Sequence, residues 1–325
     1  MRQLKHIVIF LLLSSVMIFI RPVLAHQEFE NSGDSQLMMA AYDGDLDKMR
    51  RLVDQGHDVN QTNKYGFTAI YFAAGGTRTQ PSPKGSTEAV KFLLQHGAKA
   101  NNKSNINGYT ALMAACANQN TGSVSLLLEY GADVNALTKD GESALSIASA
   151  RLEPEIVTLL LDHEAHVNGY VDINGRTPLL AAVAASPYYT LSSPSEAMKI
   201  IFQNAFKLDN ALNVVKLLLS HNAEINIMDR NGKSPLTYAV VEESPLLVRI
   251  LLEHGANPNV SDRSQGNATP LILATKIRNV SIAEMLIKKG ANVNNKDQFG
   301  KSALNYAIDR GPQKMIEILQ QSSAQ

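Results

Sequence analysis

The sequence predicts an all-α fold, a solenoid of about eight helix-turn-helix repeats with short β-hairpin-like turns. Three observations predict it. Glycines at the tips of polar turns recur mostly 33 or 34 residues apart; they are Gly66, Gly108, Gly141, Gly175, Gly232, Gly266 and Gly300. After each tip come two short segments with apolar residues at helical spacing. Neither segment alone can bury its apolar stripe, so the repeats must stack on one another.

The stretch 230–262 shows the unit most clearly. Ser234 is expected to cap a first helix that begins with Pro235, where a proline loses no helical hydrogen bond. Ser244 is expected to cap a second helix in the same way. Gly255 should end that helix in the left-handed conformation, which costs glycine little.

The same register recurs in three other stretches, 107–135, 140–168 and 299–321. The most specific motifs are TPLLAA at 177–182, TPLILA at 269–274 and LLEYGADVN at 127–135. With these motifs the chain resembles the ankyrin-repeat family over residues 36–321. The resemblance implies a stacked array that binds partner proteins on its concave side, through the turn tips and the exposed ends of the first helices.

The N-terminal residues 1–25 have the three parts of a secretory signal peptide. Arg2 and Lys5 precede an apolar run from Ile7 to Ile20, and the small Ala25 offers a cleavage site. We therefore expect a protein that is cut after Ala25 and exported to the periplasm or out of the cell.

The alternative is an uncleaved membrane anchor, because Arg21-Pro22 is unusual so close to a cleavage site. In that case the protein is a membrane-tethered scaffold. Cleavage removes three basic residues and leaves 27 basic against 30 acidic residues, a net charge of −3. The short basic start and the single cysteine favour a bacterial source.

Between the signal peptide and the array, residues 26–35 are polar and are expected to form a leader. After the array, residues 322–325 are expected to form a tail. Two insertions interrupt the array, at 75–87 and at 186–210. The second contains a predicted extra helix, 194–207, with apolar residues at helical spacing. This helix either packs on the flank of the solenoid or faces a partner or lipid, and in contact with lipid it would be the second possible anchor of a membrane-tethered scaffold.

Two irregularities carry structural expectations. Glu164 stands where glycine usually ends the second helix, so we expect that turn to be remodelled. The family's histidine in TPLH is absent; Tyr71, Met113, Ser146, Leu180, Thr237, Ile272 and Asn305 take its place. The hydrogen bonds between repeats that this histidine supplies in relatives must then be replaced or lost.

Candidates for chemistry are few in this sequence. Cys116, the only cysteine, lies among alanines and is expected to be a buried small side chain. His96, His163, His221 and His254 share the last turn of the second helix, where a partial positive charge is favourable. Their separation of about 8–10 Å is too large for a shared metal ion. Phosphate loops, nucleophile elbows and zinc motifs are missing from the sequence. We therefore expect a non-enzymatic protein without cofactor or metal; the rival is an enzyme with an unrecognised site.

The balanced formal charge of 30 basic and 30 acidic residues argues against a nucleic-acid-binding protein. Mapping the ankyrin contact positions gives aromatic tips in the N-terminal half and basic tips in the C-terminal half. The predicted contact residues are Tyr65, Phe67, Tyr109, Arg151, Arg176, Tyr188, Tyr189, Arg230, Lys233, Arg263, Lys276, Phe299 and Lys301. We expect a monomer that binds a protein partner with an acidic, partly apolar surface. The alternative is that solvated tips simply carry charge.

Overall fold

A computed structural model describes residues 36–76, 85–169, 175–185 and 194–323, with residues 194–206 as backbone alone. The predicted signal peptide and leader (1–35), most of the first insertion, and Tyr188 and Tyr189 lie outside the described residues. The chain divides into two compact units, which meet in sequence between Lys139 and Asp140.

Consecutive helices pair in both units. The first unit contains α1 (Gln36–Asp43) with α2 (Leu46–Asp54), α3 (Ala69–Ala73) with α4 (Thr87–Gln95), and α5 (Ala111–Ala117) with α6 (Thr121–Glu129). The second unit contains α7 (Ala144–Arg151) with α8 (Pro154–Asp162), α9 (Pro178–Ala184) with α10 (Pro194–Ser220), α11 (Pro235–Val241) with α12 (Pro245–Glu253), α13 (Pro270–Lys276) with α14 (Val280–Lys288), and α15 (Ala303–Arg310) with α16 (Gln313–Ser323). These eight pairs are the first to eighth repeats.

Within each unit the helices stack in two layers. In the first unit α1 packs on α3 and α3 on α5, while α2 packs on α4 and α4 on α6. The second unit repeats this order, for example with α11 on α13 and α12 on α14. The turns between repeats carry isolated β-bridges at Asp262–Ala268 and Lys296–Ser302. The predicted fold class, an all-α repeat solenoid with hairpin-like turns, is confirmed.

Small residues in the first helices and branched residues in the second helices form the core. Ala115, Ala148, Ala182, Ala239 and Ala274 are fully buried, and so are Leu127, Leu160, Leu218, Leu251 and Leu286. Alanine lets the first helices approach closely. Each buried leucine contributes about 1.5–3 kcal/mol relative to an exposed one.

Helix starts follow the predicted caps, with one exception. The Ser234 hydroxyl accepts a hydrogen bond from the Thr237 amide (3.2 Å), and Pro235 is the first residue of α11. Pro245 opens α12 as predicted, but the Ser244 side chain makes no capping hydrogen bond. The proline alone therefore marks that start, because its fixed φ already suits a helix.

The turn after α8 corrects an expectation. Glu164 has φ +64° and keeps the ordinary turn: its amide donates to Leu161 O (3.0 Å), and the next amide, of Ala165, donates to Leu160 O (3.0 Å). Gly97 and Ala98 make the same two bonds after α4. The turn is thus retained with a non-glycine residue, because stacking fixes its backbone even at a conformational cost.

The second insertion also differs from the expectation of a separate extra helix. The helix that begins at Pro194 runs without a break to Ser220, so the inserted segment extends the second helix of the fifth repeat. What its apolar stripe faces stays a prediction, because the side chains of 194–206 are not described. Within the described residues, no helix has both the length and the apolar character that a membrane span requires.

The ends of the first insertion lie side by side. A Cβ added to Gly85 would come within 2.8 Å of the Gly75 nitrogen. The next repeat holds both ends, because Asn118 Nδ2 donates to Gly75 O and Asn120 Nδ2 donates to Gly85 O at 2.6 Å. The insertion thus leaves and re-enters the array at one point.

Candidate functional site: the turn tips

Polar side chains close the turns of the first unit from within. The Asn63 side-chain oxygen accepts hydrogen bonds from the amides of Tyr65 and Phe67, both at 3.0 Å. Successive tips are joined by the backbone: the Asn105 amide donates to Tyr65 O (2.8 Å), and the Lys139 amide donates to Asn107 O (2.9 Å). Each tip therefore has a fixed place beside the next.

The predicted aromatic contacts of the first unit are only half exposed. Phe67 stacks on Tyr71 with 4.3 Å between ring centroids, and its ring also packs edge-on against Phe72. Tyr65 lies beneath Lys64, whose Nζ is 5.0 Å from the ring centroid. Tyr109 is half-buried too. The ring of Phe67 thus packs within its own repeat, and only part of it is exposed for contact with a partner.

Aliphatic residues supply the more exposed apolar surface of these tips. Ile106 is 51% exposed and Leu137 is 50% exposed. The backbone of Leu137 lies close to Gly108, at the tip of the third repeat. Leu137 was not among the predicted contacts because it lies four residues before the tip glycine of its own turn, Gly141. Leu137 immediately precedes Thr138, which has the position of Asn63 and Asp229 in the other turns, and this spacing is the signal that could have found it.

Buried aspartates close the turns of the second unit. Asp229 Oδ1 accepts from the amides of Asn231 and Lys233, both at 2.9 Å, and Asp229 Oδ2 accepts from the Tyr238 hydroxyl at 2.8 Å. The Lys233 ammonium lies 5.2 Å from the centroid of the Tyr238 ring. Burial raises the pKa of the neighbouring Glu242, and the charge of Lys233 opposes that shift.

The turn of the eighth repeat has the same plan with an added lysine. Asp297 Oδ2 accepts from the Tyr306 hydroxyl at 2.6 Å and lies 3.6 Å from Lys276 Nζ. Burial alone would raise the pKa of Asp297, but the hydrogen bonds from Tyr306 and from the amides of Lys301 and Phe299, with the charge of Lys276, hold it below its usual value. The same bond, with burial, raises the pKa of Tyr306 to about 12.

The predicted basic contacts fall into two groups. Lys276 is paired with Asp297, and Lys301 is paired with Asp309 at 2.9 Å, so internal carboxylates offset both charges. Arg230 and Arg263 are exposed and form no ion pair among the described residues.

The remaining predicted contacts are placed as follows. Arg151 is exposed at the end of α7, Arg176 is half-buried beside the tip glycine Gly175, and Phe299 is 69% exposed at the eighth tip. These positions bring Arg230, Arg263 and Phe299 onto consecutive tips of the second unit. Whether any of the residues touches a partner stays a prediction.

One turn of the second unit lacks a hydrogen-bond donor. Asp262 is fully buried. Its Oδ1 accepts one hydrogen bond from the Ser264 backbone amide at 2.8 Å and another from the Ser264 hydroxyl at 2.7 Å. Its Oδ2 has no partner among the described residues. The tyrosine that serves the sixth and eighth repeats is replaced here by Leu273, which has no hydroxyl.

In each unit, asparagines in the turns after the second helices form a column that joins neighbouring repeats. The side-chain NH2 group of each asparagine donates to the carbonyl at the end of the next repeat's second helix. Its side-chain oxygen accepts a hydrogen bond from a nearby backbone amide. Asn259, for example, donates to Gly290 O (3.0 Å) and accepts from the Asn292 amide (2.7 Å). The same pair of bonds is made by Asn60, Asn101, Asn168 and Asn226. The recurring asparagine in the VN-type turns is the signal that could have found this column.

The four aligned histidines end their helices through hydrogen bonds. In each case Nδ1 lies within hydrogen-bond distance of the carbonyl four residues earlier: 2.7 Å for His96, 2.9 Å for His163 and His221, and 2.8 Å for His254. Each of these carbonyls also accepts the backbone amide of the same histidine, so the ring adds a second contact at the end of the helix. Cys116 is buried as predicted, and burial raises the pKa of its thiol. Among the described residues, no group of three His, Cys, Asp or Glu side chains is arranged as a metal site.

Comparison with known proteins supports this arrangement. The family model described as ankyrin repeats (3 copies) matches residues 37–138, 190–262 and 259–325. The crystal structure of the human ASB11 ankyrin repeat domain superposes with a TM-score of 0.58 at 24% identity, covering 79% of this chain and 98% of that one. This second likeness concerns the fold alone.

Curated relatives show similar identity over different shares of their length. The putative ankyrin repeat protein YahD of Escherichia coli K12 is 27% identical over 219 residues, which is 67% of this chain and 94% of YahD. The putative palmitoyltransferase ZDHHC13 of Danio rerio is 27% identical over 258 residues, or 79% of this chain, but the chain spans only 35% of that relative. Human TRPA1, the transient receptor potential cation channel subfamily A member 1, is matched over 26% of its length.

Ankyrin repeats indicate a module for protein–protein interaction. The family match covers more than half of the residues, and the helix pairs, hairpin-like turns and joined tips agree with it. The chain belongs to the ankyrin-repeat family.

Proposed function

We propose that this protein is an exported, non-enzymatic interaction module, which binds a partner protein through its turn tips and the exposed ends of its first helices. The observation that carries the proposal is the construction of the tips. The half-buried Asn63 and the buried Asp229 and Asp297 fix their turns, while the residues beside them project into solvent and differ from repeat to repeat. A constant frame with variable exposed side chains is suited to recognition.

The fixed backbone also favours binding energetically. Side chains and loops that become ordered on binding each cost about 0.5–1.5 kcal/mol. At these tips the backbone hydrogen bonds between neighbouring turns already exist, as between the Gln298 amide and Gly266 O (2.9 Å). Little ordering remains to oppose association, so a modest contact area can suffice.

Charge supports a partner with an acidic surface. The predicted tips of the second unit are rich in basic residues, and Arg230 and Arg263 keep their charge uncompensated among the described residues. The mature chain has a net charge of −3, so these tips differ in sign from the protein as a whole. Such a surface would speed association with an acidic partner and lose that advantage at high salt.

Export is proposed from the first 25 residues, and the site of action is then the periplasm or the outside of the cell. A basic start followed by a short apolar run is typical of a secretory signal. Mass spectrometry of the protein from its native source tests this: a chain that starts at His26 supports export with cleavage. A retained Met1 or an intact basic start would instead favour the membrane-tethered scaffold.

Partner capture tests the binding surface. The full chain, tagged at its C-terminus, is cross-linked in its native cells and purified from the envelope. A variant with Arg230, Lys233 and Arg263 all changed to Glu should lose the captured protein. Undiminished capture by this variant would count against the electrostatic part of the proposal, and failure of every version to capture a protein would count against the function itself.

A further inference from the structure

We propose that the tips of the sixth, seventh and eighth repeats bind an extended acidic segment, with two carboxylates three residues apart and a bulky apolar residue three positions further on. This inference rests on the proposed function, because it specifies the partner chemistry that this part of the tip surface recognises. The three tips belong to one compact unit.

The first step is that the three turns begin alike. Each starts with a buried aspartate whose Oδ1 accepts the amide two residues later: Asp229 from Asn231 (2.9 Å), Asp262 from Ser264 (2.8 Å) and Asp297 from Phe299 (3.0 Å). The residue between each aspartate and the amide that it accepts therefore has an equivalent position in all three turns. In order, these residues are Arg230, Arg263 and Gln298.

The second step is the spacing of the tips. A Cβ added to Gly232 would lie 2.9 Å from Arg263 Cγ, so the stem of this arginine covers the neighbouring tip. The backbone amide of Gln298 donates a hydrogen bond to Gly266 O at 2.9 Å, and the side chain of Gln298 covers Gly266. Stacked helices of neighbouring repeats lie about 8–10 Å apart. A chain in the extended polyproline II conformation has three residues per turn and rises about 3.1 Å per residue, so side chains three positions apart lie on one side, about 9 Å from each other, and can match successive tips.

The third step is the charge that remains available. Arg230 and Arg263 have no ion pair among the described residues, whereas Lys276 and Lys301 are already paired with Asp297 and Asp309. A guanidinium group binds a carboxylate through two parallel hydrogen bonds. The two arginines therefore supply the charge-recognising part of this surface.

The fourth step is the apolar end of the row. Phe299 is 69% exposed on the eighth tip, next to Gln298, which packs on the seventh tip. Arginine and aromatic residues are enriched where interfaces are buried. The order along the tips is thus two cations followed by one aromatic ring, and the complementary segment has two carboxylates followed by an apolar side chain.

The test measures binding of the full chain to a fluorescent peptide, Glu-Ser-Thr-Glu-Ser-Thr-Leu, with both ends blocked. An isomer of the same composition, Glu-Ser-Thr-Leu-Ser-Thr-Glu, places the apolar residue between the carboxylates. We expect the first peptide to bind at least about tenfold more tightly, and its affinity to fall as salt rises. Equal binding of the two peptides would overturn the proposed order.

Matched variants locate the site. R230E/R263E should weaken binding of the first peptide about tenfold or more, and Phe299→Ala should reduce the preference between the two isomers. The control, K216E/R249E, makes the same change in net charge at exposed positions of α10 and α12 and should bind like the wild type. Circular dichroism checks that each variant is folded.

The outcomes separate this inference from the proposed function. If R230E/R263E and K216E/R249E bind the peptide alike, the arginine row is not the site and the inference fails. The function would still stand if the full chain captured a partner in cells through other tips.

Discussion

Tyr306 donates a 2.6 Å hydrogen bond from its hydroxyl to Oδ2 of Asp297. Tyr238 makes the same bond to Asp229 at 2.8 Å. In the repeat between them, Asp262 keeps the buried carboxylate, but its Oδ2 has no partner among the described residues. A buried acceptor without a donor costs about 1–3 kcal/mol, so the seventh repeat is a weak point of the array.

Supplying the missing hydroxyl should stabilise the protein. We expect Leu273→Tyr to raise the free energy of unfolding by about 1 kcal/mol relative to Leu273→Phe, which introduces the same ring without the donor. Urea denaturation followed by circular dichroism measures the difference. Equal stability of the two variants would show that the new hydroxyl does not reach Asp262.

The bond between Tyr306 and Asp297 should make stability depend on alkaline pH. The pKa of Tyr306 is raised to about 12 in the folded protein, first by this hydrogen bond, then by burial and by the charges of Asp297 and Asp309. Because the folded-state pKa exceeds the ordinary value of about 10, the contribution is complete below pH 10 and is lost between about pH 10 and 12.

Tyr306→Phe isolates this effect, because it removes the titrating hydroxyl and keeps the ring. The stability difference between wild type and variant should be constant from neutral pH to about pH 10 and shrink above it. Denaturation midpoints across this range measure it. A difference that does not change with pH would contradict the assignment of the shift to this bond.

The asparagine column should carry part of the stability between repeats. Asn259→Ala removes the bonds to Gly290 O and from the Asn292 amide, and we expect a loss of about 1–2 kcal/mol. Asn294→Ala is the matched control, because the Asn294 side chain is exposed and has no recorded hydrogen bond in the described part of the chain. Equal effects of the two substitutions in urea denaturation would argue against a role for the column.

The first insertion should be removable. In repeats without it, one residue at positive φ separates the two helix caps: Gln119, Glu243 and Arg278. Gly75 already has φ +104° and Ser86 caps α4, so deleting residues 76–85 joins Ala74, Gly75 and Ser86 in the ordinary pattern. We expect a change below about 1 kcal/mol in the free energy of unfolding. Loss of the cooperative unfolding transition would contradict this.

Periodicity and capping residues were sufficient to predict the fold. The helix pairs, the caps such as Ser234 and the burial of Cys116 depend on local spacing and on apolar stripes that only stacking can bury. Local rules failed at Glu164, where the array holds a non-glycine residue at positive φ. They also failed at α10, where an inserted segment with helical spacing joined the next helix without a break.

The candidate site was predicted less completely. The contact positions followed from the family resemblance, but pairing between side chains depends on three-dimensional contacts. Sequence alone therefore did not show that Asp309 offsets the charge of Lys301 while Arg230 has no such ion pair among the described residues. It also did not show that Phe67 packs on Tyr71. The asparagines of the column were visible in the sequence, yet their bonds connect residues 29 or more positions apart.

Photo-cross-linking in the native cells tests the central claim most directly. A photoreactive residue is placed at a tip position, Arg230 or Phe299, or at the second-helix position Arg249 as a control, in the otherwise unchanged full chain. The account predicts that both tip positions cross-link to the same protein and that the control position does not. Cross-links from Arg249 alone, with none from either tip, would contradict it.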